Sequence, residues 1–239
     1  MRTLLRQIFA LAADDELIAR NPAEALGQSV APPEPKHHPA ITDPKRVGAL
    51  IRAIRGYDGE PVTRAALSLA PLVFVRPGEL RAAEWAAFDL DNAEWRIPSR
   101  RMKMEGEHLV PLSKQAVAIL RELEKLTGRD KLVFPGARSK ARPISQNTLN
   151  AALRRLGYTT DEMTAHGFRS TASTLLNEQG WHRDAIERQL AHVERNKERG
   201  SYNNAEHLPE RWKMMQAWAN YLDSLAAGAD VVPLNRTKT

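Results

Sequence analysis

Four prolines fall within nine residues in the stretch Ala31-Pro-Pro-Glu-Pro-Lys-His-His-Pro39. Proline has no backbone N–H and a fixed φ, so this density excludes a helix or an inner strand and leaves an extended linker. The linker, taken as residues 31–41, divides the chain. On its N-terminal side, Leu4, Leu5, Ile8 and Leu11 recur at helical spacing until Asn21-Pro22 closes the pattern. Residues 1–30 are too few for a core of their own and read as the tail of a separate helical unit. The main body is then 42–226, and 227–239 has no periodicity and reads as a loose tail.

Helix signals dominate that body. Thr42-Asp43-Pro44 supplies a cap and a first-turn proline, Val47, Leu50, Ile51 and Ile54 form one apolar face, and Gly56 ends it. A second apolar stretch, Val62 to Val75, carries Pro71 and should bend there. A short helix starts at Pro77. The period then changes: Trp95 and Ile97 alternate with Arg96, and Leu109-Val-Pro-Leu follows a polar stretch, so 86–112 reads as a small antiparallel sheet. Helices return through Ala116–Leu123, Leu149–Leu156, 166–178, 182–190 and Pro209 to Leu225, the last with Met214, Trp218, Tyr221 and Leu225 on one stripe. The expected fold class is mainly α with one small antiparallel sheet.

Composition narrows the chemistry. The chain has no cysteine, which excludes disulfides, a cysteine nucleophile and a thiolate metal site. No apolar run approaches the ~20 residues that span a bilayer. Its start lacks the apolar core of a secretory signal, so a cytoplasmic protein is expected. The net charge of +6 leans toward a polyanionic partner, because each phosphate neutralised by Lys or Arg releases counterions.

Five places can carry chemistry, and each has an ordinary structural alternative. Arg76 immediately precedes the helix Pro77-Gly-Glu-Leu80, where it can simply cap, with Glu79 in the positive first turn. Lys103 lies in a turn between two expected strands and can simply be solvated. His166-Gly-Phe-Arg169 opens a helix, and residues three apart share a face, so an imidazole sits beside a guanidinium suited to gripping phosphate. Phe168, Ala172 and Leu175 would anchor the other side of that helix. His192 follows an apolar segment ending at Leu190 and can be a C-terminal cap. Tyr202 stands in a polar stretch, and the other tyrosines, Tyr57, Tyr158 and Tyr221, compete with it.

Together these residues are far more specific than any one of them. The order Arg76, Lys103, His166-x-x-Arg169, His192, Tyr202 resembles the catalytic set of the tyrosine recombinase (phage integrase) family. The surrounding words match too. Val75-Arg-Pro-Gly-Glu-Leu-Arg-Ala-Ala-Glu-Trp85 is similar to the first arginine box and Phe88-Asp-Leu-Asp91 to the strand after it. Met102-Lys-Met-Glu through Leu109-Val-Pro-Leu is similar to the lysine hairpin. Thr164-Ala-His-Gly-Phe-Arg-Ser-Thr171 and Gln189-Leu-Ala-His192 resemble the second box. The likeness covers residues 40–226, and residues 1–30 resemble the final helix of the family's core-DNA-binding domain. Lys36-His-His-Pro-Ala-Ile-Thr42 and Arg211-Trp-Lys-Met-Met-Gln-Ala-Trp218 resemble integrases of genomic islands and satellite phages. Two positions depart from the pattern: Ser170 stands where histidine is common, and Ala191 where glycine is common.

The resemblance implies a metal-free, cofactor-free DNA breaking and rejoining enzyme. Tyr202 would form a 3′-phosphotyrosine, Arg76 and Arg169 would hold the phosphate, and Lys103 would protonate the leaving 5′-oxygen. His166 would take or relay the tyrosine proton, His192 would hydrogen-bond the phosphate, and Glu79 would buttress the clamp. Lys36, Arg129, Lys131, Arg138, Lys140 and Arg142 are the expected DNA contacts. The implied partners are double-stranded attachment-site DNA, three further copies in a tetramer on two duplexes (a monomer as an isolated fragment), and host bending and directionality factors. Rival readings are a type IB topoisomerase-like enzyme, a non-catalytic helix-turn-helix formed by 166–178 and 182–190, and a metallohydrolase built on His37, His38, His166 or His192. Asp89 and Asp91 read as strand-edge acids rather than a metal pair.

Overall fold

A computed structural model describes residues 2–24, 39–98, 107–191 and 207–228. The chain divides into two compact units, Met1–His37 and His38–Thr239.

The first unit contains helix α1, Arg2–Asp14. It ends well before Asn21-Pro22, where the periodicity pointed. Two reasons are local: Asp14 and Asp15 are acids at the negative end of a helix, and Glu16 adopts φ 57°. The Asn21 side chain then stitches the turn, donating to Arg6 O at 2.9 Å and accepting from Ala23 N at 2.9 Å. Leu4, Leu5, Ile8 and Leu11 remain exposed.

In the second unit, α2 (Pro44–Arg55) starts at Asp43, whose carboxylate accepts from Arg46 N at 2.8 Å, and ends at Gly56. Helix α3 (Pro61–Val73) is capped by Glu60, and α4 (Pro77–Arg81) follows a short extended link. A three-stranded antiparallel sheet comes next: β1 (Phe88–Asp89), β2 (Glu94–Ile97) and β3 (His108–Pro111), in the order β1-β2-β3. Trp95 faces Val110 across the β2–β3 pair, and both are buried. Asp89 accepts from the Asn92 backbone and side chain, and Asp91 pairs with Arg121, so both acids have structural duties.

Helix α5 (Lys114–Thr127) leads into the basic stretch 129–142, where the sequence shows neither helical nor strand periodicity. It is instead a second small sheet, β4 (Pro135–Gly136) paired with β5 (Ser139–Pro143). Arg138, Lys140 and Arg142 lack any apolar alternation, which is why pattern reading missed a strand whose side chains are nearly all exposed. Helices α6 (Thr148–Arg155), α7 (Gly167–Glu178), α8 (Arg183–Gln189) and α9 (Leu208–Ala226) complete the fold.

Helix α3 is the hub. It packs against α2, α4, α5, α6, α7 and α9, and every residue from Leu69 to Val73 is buried. Pro71 cannot donate to the carbonyl a turn earlier. The helix nevertheless runs through it, and its own carbonyl accepts from Trp218 Nε1 of α9 at 2.8 Å. Helix α9 also lies along α2, where Gly48 meets the end of α9. A Cβ on Gly48 would stand 2.3 Å from Leu225 O. Arg52, one turn on, donates to the carbonyls of Leu225 and Ala226 and so closes that helix end. Only glycine permits this approach. The Gly48→Ala variant is expected to lose about 2 kcal/mol of stability, read as a lower urea midpoint with an unchanged slope.

Candidate active site

Two helix ends meet where the site forms. Helix α3 stops at Phe74, which turns into the left-handed region at φ 36°. This leaves C-terminal carbonyls that need donors from elsewhere. Helix α8 stops at Leu190, followed by Ala191 at φ 49°. Arg169, from α7, bridges the two: Nη1 donates to Phe74 O at 3.0 Å and Nη2 to Leu190 O at 2.7 Å. Arg76 lies alongside, with Nη2 donating to Ala191 O at 2.8 Å. Its Nη1 donates to Glu79 Oε1 at 2.8 Å, while its backbone N–H reaches Glu79 Oε2 at 2.9 Å. Glu79 is buried and so acts as a fixed brace.

Consecutive carbonyls, of residues 190 and 191, therefore hold two guanidiniums side by side. Burial, and then the neighbouring Arg76 charge, draws Arg169 down to about 10, still fully protonated at neutral pH. Its Nε is buried and has no hydrogen-bond partner among the described residues. A buried donor without an acceptor beside a second cation is an arrangement suited to an anion with several oxygens.

Helix α7 is not split into a polar and an apolar face. Phe168, Ala172 and Leu175 anchor it as expected, but Arg169 is as buried as they are, at 4% exposure. His166 is the half-buried residue that opens this helix, one turn before Arg169. Gly167 between them is required, because a Cβ there would lie 2.4 Å from Pro39 O. Thr171 then donates to Ile41 O at 2.7 Å, tying the same helix to the incoming chain. Lys103, His192, Tyr202 and Lys36 lie outside the described residues, as do His37 and His38.

The three competing tyrosines are occupied. Tyr57 is buried and its hydroxyl accepts from Arg155 at 3.2 Å. Burial pushes Tyr158 and Tyr221 up from the ordinary phenol value, the opposite of activation. Of the expected DNA contacts, Arg129, Lys131, Arg138, Lys140 and Arg142 are all exposed. Lys131 pairs with Glu84 at 3.3 Å and Lys140 with Asp130 at 3.1 Å. A cavity of about 630 Å³ beside α4 is lined by Gly78, Glu79, Glu84, Lys131 and Lys140, so the basic hairpin and the arginine brace share one hollow. A larger apolar cavity of about 700 Å³, lined by Ile54, Leu72, Ile119 and Leu222, includes none of the clamp residues.

Among the described residues, one group offers three metal-type ligands: His182, Asp184 and His207, with ligand atoms within 4.8 Å of one another. It lies on the surface and excludes His166. The helix-turn-helix reading also meets a difficulty: α8 has only seven residues and commits Ala185, Ile186 and Gln189 to the interior.

Comparison with known proteins identifies the family and the fold. Residues 41–207 match the model of the phage integrase family. The chain belongs to the phage integrase family of tyrosine recombinases. It is 42% identical over 231 residues to the integrase of Enterobacteria phage P4, covering 90% of this chain and 52% of that protein. It is 36% identical to the prophage integrase IntA of Escherichia coli K12, covering 95% and 55%. The integrase-family chain thus spans about half the length of these curated relatives. Among solved structures, a lambda integrase dimer bound to a COC′ core site superposes with TM-score 0.60 at 18% identity, covering 81% of this chain and 70% of that one. The Tn1549 transposon integrase with transposon right end DNA gives 0.61 at 15%, covering 87% and 78%. At such identities the likeness is one of fold, mainly helical with small antiparallel sheets.

Sequence reading missed His108. It is buried on β3, donates to the backbone of Gln189, and keeps a buried Nε2 with no partner among the described residues. Burial, then the Arg211, Arg188 and Arg76 charges, lowers it to about 3. The folded protein therefore resists a proton that the unfolded chain accepts near the ordinary histidine value of ~6.5. Stability contributed by this group is present above that value and falls as the pH drops toward 3. Between pH 7.5 and pH 5 the loss should be about 2 kcal/mol, measured by urea unfolding, and His108→Gln should flatten the profile. Ala191 carries a left-handed backbone where the family commonly has glycine, so Ala191→Gly should gain about 1 kcal/mol in the same assay.

Proposed function

We propose that the chain is the catalytic part of a site-specific DNA recombinase that integrates and excises a mobile element through Tyr202. The observation that carries this is the pair of guanidiniums, Arg76 and Arg169, fixed by adjacent carbonyls at residues 191 and 190 with His166 one turn away. A phosphodiester placed against them would have its non-bridging oxygens held while negative charge grows on them in the transition state.

In this reading the Tyr202 hydroxyl attacks phosphorus. A P–O bond to tyrosine forms as the bond to the 5′-oxygen breaks. The phenolic proton passes to His166, directly or by relay, and Lys103 protonates the departing 5′-oxygen. His192 donates a hydrogen bond to the phosphate. A 5′-hydroxyl from the partner duplex then reverses the chemistry, and since the phosphotyrosine keeps the phosphodiester's energy, no nucleotide is consumed. Occupation of Tyr57, Tyr158 and Tyr221 by structural duties supports Tyr202 as nucleophile.

The substrate is double-stranded attachment-site DNA inside the cell. Arg129, Lys131, Arg138, Lys140, Arg142 and Lys36 would contact phosphates. Solved relatives include a lambda integrase tetramer bound to a Holliday junction, and a tetramer on two duplexes is the assembly proposed here. Host bending and directionality factors would bias the outcome. A topoisomerase-like enzyme would share the first step but not the exchange of strands between duplexes.

The test mixes the protein with nicked duplexes carrying its candidate crossover site in EDTA. A DNA–protein band that survives SDS and disappears on proteolysis is expected from wild type, and none from Tyr202→Phe. DNA binding without any such band would overturn the catalytic reading. In filter binding, Lys140→Ala should lower the slope of log affinity against log salt by about 0.9, with little change in sequence preference.

A further inference from the structure

Behind the two clamp arginines lies a third guanidinium with no place in the cleavage scheme. Arg211, on the first turns of α9, is only 2% exposed. Its Nη2 donates to Gln189 Oε1 at 2.7 Å and to Leu109 O at 2.6 Å, and its Nε reaches the same Gln189 oxygen at 3.2 Å. No carboxylate pairs with it among the described ion pairs. Burial, then the Arg188 charge, lowers it to about 9, a sign of how poorly the site accommodates its charge. A residue kept only for packing would be apolar, since a buried unpaired cation is costly. The fork geometry must therefore serve something.

What it fixes is Gln189. That side chain is fully buried, and its Nε2 turns the other way, toward Val73 O at 3.4 Å. Val73 immediately precedes Phe74, whose carbonyl holds Arg169. Gln189 also immediately precedes Leu190 and Ala191, whose carbonyls hold Arg169 and Arg76. His108, next to Leu109 on β3, donates to the Gln189 backbone from a third side. One amide side chain thus sets the spacing between the two helix ends from which both clamp arginines hang, and Arg211 decides which way that amide points.

We infer that Arg211 and Gln189 are positioning residues for the phosphate clamp: Arg211 locks the Gln189 amide between α9, β3 and the end of α3, and so fixes the carbonyls that aim Arg76 and Arg169. The role in catalysis rests on the recombinase reading, whereas the effect on clamp geometry does not.

Two variants test it. Arg211→Met keeps the bulk and removes every donor, while Arg211→Lys keeps the charge but loses the planar fork whose Nε makes the second contact with Gln189 Oε1. The first readout is independent of activity: hydrogen exchange at the buried Arg169 Nε–H, followed by nitrogen-15 NMR in variants that retain a cooperative thermal transition. Exchange should accelerate about tenfold in Arg211→Met and less in Arg211→Lys. Should the Met variant fail to fold, the Lys variant decides, and wild-type protection in a folded variant overturns the inference. The second readout is single-turnover covalent-complex formation on the nicked duplex. Its rate should fall roughly thirtyfold in Arg211→Met, with partial recovery in Arg211→Lys and DNA affinity within about twofold. Wild-type rates in a folded Met variant would likewise overturn the positioning role. A wild-type protein that forms no covalent complex would count against the recombinase reading alone, leaving the exchange measurement to decide the geometry.

Discussion

The carbonyls at the end of the central helix α3 are the constraint around which the body is organised. A helix cannot satisfy its own last carbonyls, and α3 is buried at that end, so water cannot serve them either. Three side chains do: Trp218 at Pro71, Gln189 at Val73 and Arg169 at Phe74. Each comes from a different helix, α9, α8 and α7. The need to satisfy one helix terminus thereby draws together residues 95 to 147 positions apart in the chain, and one of the three satisfying groups is a clamp arginine.

Electrostatics explains why guanidiniums suit this place. Two helix ends, of α3 and α8, present partial negative charge, and carbonyl acceptors hold an arginine without cancelling its charge as a carboxylate would. Glu79 is the exception, pairing with Arg76 and fixing its position from α4. Elsewhere Arg169, Arg211 and Arg188 are all drawn downward by burial, and His108 is kept neutral among them. The region carries an excess of fixed positive charge that an incoming phosphate would relieve. In the proposed function, that cost in stability is what the bound phosphate offsets.

Much of this layout was legible beforehand. The caps at Asp43 and Gly56 and the alternation at Trp95-Arg-Ile97 encode local rules, and the corresponding elements formed where those rules put them. Arg76 with Glu79, and His166 with Arg169, were visible because helix starts and three-residue spacing place side chains predictably. The misses have physical causes too. Helix α1 stopped at Asp14 because hydrophobic period says nothing of a left-handed Glu16. The β4–β5 hairpin was hidden because its residues face water and carry no alternation. His108, Gln189 and Arg211 passed as ordinary members of a strand and two helices, since burial of a polar group depends on what packs over it.

The sequence by itself determined the mainly helical character, the residue types available for chemistry and the order in which they occur, because each follows from local propensity, charge and spacing. Only the tertiary structure decided that Arg76 and Arg169 hang from neighbouring carbonyls, that Arg169 lies inside rather than on a polar face, and that Gln189 and Arg211 stand behind them. These are relations between segments far apart in the chain. They are set by which orphaned carbonyl finds which buried donor, and no local pattern records that choice.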